Sequence, residues 1–106
     1  MSLADLRRLG CPSCGRPHDL PVLLDEARSA LRSGPWLALA CPSCGAPAHL
    51  ELAGDHAAIG RVVRAHGTRF EPSMRVRQPG LRVKPTPDGI RVELLHRSWL
   101  FERRDG

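Results

Sequence analysis

The sequence predicts an α+β fold, and three observations predict it. The pentapeptide Cys-Pro-Ser-Cys-Gly occurs twice, at residues 11–15 and 41–45. Apolar residues recur at a helical period between the two copies and again after the second. From residue 73 onward the pattern changes to apolar–charged alternation, the period of a strand with one buried face.

Between the copies, Leu20, Leu23, Leu24, Ala27 and Leu31 fall on one face of a helix over about residues 20–33. Asp19 is placed to cap it, Pro21 suits its first turn, and Gly34-Pro35 stops it. Trp36 to Cys41 reads as a short strand and Ala48 to Leu52 as another. They form a hairpin that carries the second cysteine pair in its turn. Asp55 as a cap, Ile59, Val62 and Val63 as one face, and Gly67 as a stop predict a second helix over about 56–66, although Gly60 weakens it. Ser73–Arg77, Leu81–Lys84 and Ile90–Leu95 then read as strands of a small antiparallel sheet. Gln78-Pro79-Gly80 and Pro85–Gly89 supply the turns. The chain divides at residue 55 into 1–55 and a helix-plus-sheet segment over 56–106 packed into one compact unit.

At 106 residues the chain is sized for one domain with a modest core, so additional support for the fold is expected. A hydrophobic content of 42% and a charged content of 25% are ordinary for a soluble globular protein. No apolar run approaches a membrane span, and the first residues lack a secretory apolar segment. These features predict a cytoplasmic protein with no membrane partner, in a compartment where paired thiols stay reduced and take metal rather than form disulfides.

Charge is unevenly spread. Residues 1–60 carry five basic and six acidic side chains, whereas residues 61–106 carry eleven basic against five acidic. All the basic residues but Lys84 are arginine, a bias that a GC-rich genome also produces, so only the placement of the arginines carries an argument.

A Cys-x-x-Cys turn brings two sulfurs within reach of one metal; its proline stiffens the approach, and the following glycine permits the reversal around the sulfur. Two such turns supply four thiolates, the closed tetrahedral shell of a structural Zn2+. Cys11, Cys14, Cys41 and Cys44 are therefore the expected metal ligands, with one zinc as the cofactor. The spacing from Cys14 to Cys41 exceeds the usual ~15–20 residues between zinc pairs. A 14-residue helix climbing ~21 Å and a seven-residue extended return of ~23 Å would bring Cys41 back to Cys14.

The two Cys-Pro-Ser-Cys-Gly phrases, the helical insert and the approach Leu-Arg-Ser-Gly-Pro-Trp-Leu-Ala-Leu-Ala into the second phrase resemble the bacterial CpXC-type zinc-ribbon domain over residues 9–53. The resemblance implies a two-knuckle zinc fold and leaves residues 61–106 uncovered. Together these readings predict a two-knuckle zinc ribbon with an inserted helix, followed by a helix and a small antiparallel sheet.

Other chemistries fit less well. A catalytic zinc needs an open coordination position. A nucleobase deaminase needs His-x-Glu ahead of Pro-Cys-x-x-Cys, whereas His49 and Glu51 follow the last cysteine pair. A redox pair is the remaining use of Cys-x-x-Cys. His18 and His49 stand close enough to the cysteines to replace or support a thiolate, against the simpler reading of half-exposed histidines beside a turn. No nucleophile–base pair or phosphate-cradling glycine loop is present, so no enzyme and no small-molecule substrate is predicted.

Alternation places Arg75, Arg77, Arg82, Lys84 and Arg91 on one face of the sheet, opposed only by Glu93. Such a face suits phosphate contacts, so an accessory nucleic-acid-binding role is predicted; the competing reading is a solvated sheet face. Trp99 and Phe101, near the end of the chain, either close the core or form an aromatic edge for a protein partner or a second copy. The alternative function is therefore a protein-interaction adaptor or a subunit of a larger complex.

Overall fold

The computed structural model describes residues 5–31 and 35–104. Strands β1 (Arg8–Gly10) and β2 (Pro17–Asp19) form a small antiparallel hairpin around the first cysteine pair. Helix α1 (Leu20–Glu26) follows, then β3 (Ser29–Leu31), β4 (Trp36–Ala40), β5 (Pro47–Ala53), β6 (His56–Val63), β7 (Arg69–Arg77), β8 (Arg82–Thr86), β9 (Gly89–Leu94) and β10 (Arg97–Arg104). The last eight strands make one sheet in the order β7-β6-β5-β4-β3-β10-β9-β8. Every pairing in it is antiparallel except β3 with β10.

The chain is thus mostly β, which overturns the α+β expectation of a ribbon with an inserted helix, a second helix and a small sheet. The first helix exists but stops at Glu26, because Ala27 turns to an extended conformation (φ −66°, ψ 141°). Residues 29–31 join the sheet instead, and the expected end of the helix at 32–34 lies outside the described residues. The second expected helix is β6. Ala57, Ala58 and Ile59 are all buried, as in an inner strand covered on both faces, and Ile59, Val62 and Val63 are β-branched. Asp55 is no cap; with Gly54 it forms the two-residue turn between Ala53 and His56.

The sheet folds back on itself. Its outermost strands, β7 and β8, are consecutive in the chain. The five steps from Arg77 to Arg82 span at most roughly 18 Å. A flat eight-stranded sheet would hold its edges roughly 34 Å apart. The two arms meet where β10 pairs with β3, among the described residues through Arg103 opposite Ala30 and Arg104 opposite Leu31. Both arms consequently bury their inner faces in one cluster. Leu37, Leu50 and Ile59 come from one arm, and Ile90, Val92, Leu94 and Phe101 from the other; Leu9, Leu20, Leu23 and Leu24 of the hairpin and helix join them.

The loop from β7 to β8 is fixed by Gln78, which is fully buried. Its Oε1 accepts from the Arg7 backbone N–H at 2.8 Å, and its Nε2 donates to the Asp5 and Pro79 carbonyls at 3.1 Å each. This buried amide ties the segment leading into the metal hairpin to the turn that joins the two arms. No helix among the described residues is long and apolar enough to cross a membrane.

Candidate metal centre

The β1–β2 and β4–β5 hairpins present their turns to each other. In each, the glycine after the second cysteine holds a positive φ (77° at Gly15, 74° at Gly45), which only glycine adopts without strain. Its N–H donates to the carbonyl of the first cysteine, at 2.9 Å for Gly15 to Cys11 and 2.8 Å for Gly45 to Cys41. The first cysteine's N–H bonds two residues past the second, to Arg16 at 3.1 Å and to Ala46 at 2.9 Å. The sequence explains why the two turns match so far. The repeated phrase is longer than five residues: 9–20 and 39–50 share Leu, Cys, Pro, Ser, Cys, Gly, Pro and Leu at equal spacing. The flanking leucines, Leu9, Leu20, Leu39 and Leu50, are all buried and anchor both turns in the core.

The four sulfurs of Cys11, Cys14, Cys41 and Cys44 lie within 4.8 Å of one another, an arrangement that can hold a metal ion. Across the two turns, Cys11 Sγ lies 3.8 Å from Cys44 Sγ, and Cys14 Sγ lies 3.8 Å from Cys41 Sγ. A tetrahedron with metal–sulfur bonds of about 2.3 Å has edges of about 3.8 Å, so these spacings match a zinc-sized shell. Cys11 and Cys41 are buried, whereas Cys14 and Cys44 face solvent.

Backbone donors point at the buried sulfurs. Ser13 and Cys14 give their N–H groups to Cys11 Sγ at 3.3 and 3.4 Å, and Ser43 gives its own to Cys41 Sγ at 3.4 Å. Burial pushes the Cys11 thiol up, but the Cys14 and Ser13 N–H groups and the neighbouring thiols outweigh it and lower Cys11 to about 6. The Ala46 N–H draws Cys44 down, yet burial and the three neighbouring sulfurs leave it pushed up to about 11. Four thiolates brought this close repel one another. A divalent cation removes that opposition.

The two candidate histidines do not touch sulfur. His18 Nε2 lies 3.0 Å from Ser43 Oγ, so it crosses from the first hairpin to brace the second turn. The counterpart on the other side is Arg61, whose Nη2 donates to Ser13 Oγ at 2.5 Å. His49 Nδ1 accepts from the Val62 backbone N–H at 3.3 Å. Burial, assisted by the charge of Arg64, lowers the pKa of His49. Glu51 holds Trp36 Nε1 at 3.0 Å and Arg75 at 3.3 Å.

The five basic residues expected on one sheet face are divided between the two ends of the strand order. Arg75 and Arg77 lie on β7, where Glu51 and Asp55 take them at 3.3 and 2.8 Å. Arg82, Lys84 and Arg91 share the outward face of β8 and β9, with Lys84 opposite Arg91 and Arg82 opposite Glu93. Glu93 is taken by Lys84 at 3.0 Å. The division arises because β7 pairs with β6 rather than with β8, which a reading of alternation within each strand does not reveal.

Phe101 is buried and belongs to the core, and Trp99 packs partly against it. The Trp99 indole N–H donates to Asp25 Oδ1 at 2.9 Å, while Arg97 stacks over its ring at 4.5 Å and also binds Asp25 at 2.7 Å. The large apolar residue that β10 exposes is Leu100, at 62%. Arg61 and Leu100 are among the side chains to which the sequence assigns no role. Leu100 was detectable from its alternation with Trp99 and Phe101, whereas Arg61 required the tertiary contact. No protein-family model, curated protein or solved structure matches the chain.

Proposed function

We propose that the chain is a non-catalytic zinc protein in which one structural Zn2+ joins the two hairpins, and that it serves as an accessory nucleic-acid-binding module. The carrying observation is the four-sulfur cluster at tetrahedral spacing. Zinc held by four thiolates has no position left for water or substrate, so the metal supports structure rather than chemistry. The residues behind the resemblance to CpXC-type domains, Cys11, Cys14, Cys41 and Cys44, favour the same assignment. Metal analysis of protein purified under reducing conditions tests it: one zinc per chain is expected, and iron or no metal would refute it.

Nucleic-acid binding is supported by the shared outward face of Arg82, Lys84 and Arg91, three cations against the single carboxylate of Glu93. A mobility-shift titration against DNA and RNA should give a log–log salt slope of about −2 to −3, as expected for roughly three phosphate contacts. Arg82→Gln or Arg91→Gln should each reduce that slope by about one. The absence of any shift at low salt would remove the reading. Leu100 favours a second reading, in which the same face docks a protein partner or a second copy, because it stands exposed directly opposite Arg91. Light scattering of Leu100→Ser against the parent chain separates the two: lost self-association identifies the protein interface.

A further inference from the structure

The ladder between β5 and β6 ends early. Its last pair is His49 with Gly60, although β5 begins at Pro47 and β6 continues to Val63. Two sequence features end it. Pro47 has no N–H to give, and the pairing with β7 shifts register between Ile59 and Gly60. The Val62 N–H therefore turns to the His49 ring instead of to a β5 carbonyl. A cavity of about 300 Å3 opens at this point, lined by Ser13, Pro47, His49, Arg61 and Val62, directly beside the first cysteine turn.

The polar groups around this cavity are mostly donors. Because His49 Nδ1 accepts a hydrogen bond, its ring proton sits on Nε2 and that edge donates. Arg61 spends one N–H on Ser13 Oγ and has no carboxylate within 4 Å among the described residues. Glu71, its cross-strand neighbour, is taken by Arg69 at 3.2 Å. Arg64 lies near enough to His49 to act on it electrostatically and is likewise without a carboxylate partner among the described residues. One guanidinium group, an imidazole N–H and a serine hydroxyl line this cavity and are complementary to a tetrahedral oxyanion.

We propose that the cleft between β5 and β6, formed by Ser13, His49 and Arg61, binds a phosphate group. This site is separate from the Arg82, Lys84 and Arg91 face and does not rest on that face contacting nucleic acid. Zinc with four thiolates leaves a net negative charge beside the cleft, which opposes an anion, so millimolar affinity for inorganic phosphate is expected rather than tight binding.

The test titrates the zinc-loaded full chain with inorganic phosphate at constant ionic strength and follows the His49 ring by nitrogen–proton correlation NMR. A saturable shift of the His49 Nε2–H signal with a millimolar midpoint is expected, weakened at least tenfold in Arg61→Gln and by about twofold, through lost positive charge, in Arg64→Gln. A second arm uses a short oligonucleotide with and without a 5′-phosphate. Tighter binding of the phosphorylated form identifies a nucleotide terminus as the source, and equal effects with the free ion identify phosphate itself. Arg64→Gln touches neither cysteine turn, so it remains decisive if Arg61→Gln loses metal. An unsaturable shift at His49, or an unchanged midpoint in Arg64→Gln, overturns the proposal.

Discussion

Replacing Gln78 with leucine preserves the approximate volume of the side chain and removes all of its polar contacts. The hydrogen bonds lost include, among the described residues, one from the Arg7 N–H and one each to the Asp5 and Pro79 carbonyls. At about 1 kcal/mol net for each of these, the loss is at least about 3 kcal/mol. The buried apolar side chain returns about 1 kcal/mol, because its partners are only partly buried and find some water. The net expectation is a destabilisation of about 2 kcal/mol, or roughly 10 °C in Tm for a chain of this size. Urea denaturation of the zinc-loaded protein, followed by tryptophan fluorescence, measures it. Because Asp5 and Arg7 lead directly into β1, metal transfer to a chelator should accelerate in the same variant. A change below 0.5 kcal/mol would refute the reasoning, since it would mean that the buried amide does not tie the hairpin to the arms.

Complete chelation of the metal should unfold the β1–β2 hairpin and loosen the second cysteine turn. A three-pair hairpin is marginal alone, and structural zinc supplies on the order of 10–16 kcal/mol of apparent binding energy. Unchanged circular dichroism and melting without metal would contradict this. Cobalt substitution should give the intense visible absorption of a tetrahedral four-thiolate site, and Cys41→Ser should abolish it at equal cobalt. Gly60→Ala should cost about 2–3 kcal/mol, because a Cβ there meets the Glu71 carbonyl oxygen and Pro72 Cα, both backbone, and a urea titration measures the cost. The Trp99 and Arg97 contacts hold Asp25 below the usual carboxylate range. That stabilisation is present above the ordinary carboxylate pKa and fades as pH falls through the depressed one. Asp25→Asn should therefore lose about 0.5–1 kcal/mol at neutral pH, flatten the acid limb of the stability curve and change Trp99 fluorescence.

The metal centre was legible because its signal is local. Turn chemistry, ligand identity and glycine placement all sit within five residues, and the turn repeats. The strands at 73–77, 81–84 and 90–95 were legible for the same reason, each carrying its own alternation, whereas β10 was not read as a strand. What the sequence obscured is non-local. His56–Val63 shows a helical spacing of apolar residues only because an inner strand is apolar on both faces, which erases the period-two signal. The two-residue Gly54-Asp55 connection between β-formers was the available clue to a hairpin. Ser29–Leu31 leaves the helical pattern because Ala30 is needed opposite Arg103, a partner more than seventy residues away. The division of the basic face has the same origin, because pairing order is a property of the whole sheet.

The parallel joint between β3 and β10 has a consequence for how the chain is made. β3 is synthesised early, and β4 covers one of its edges almost at once. Its other edge waits for Arg103 and Arg104, which emerge after every other strand. During that interval a growing chain carries an open strand edge beside an unfilled Phe101 site, the combination most prone to pairing with a neighbouring chain. All four cysteines precede β5, so a metal can join them before the sheet is complete. Zinc uptake would then hold the early half in register while the late strand arrives, and metal-starved synthesis would lengthen the period of exposure.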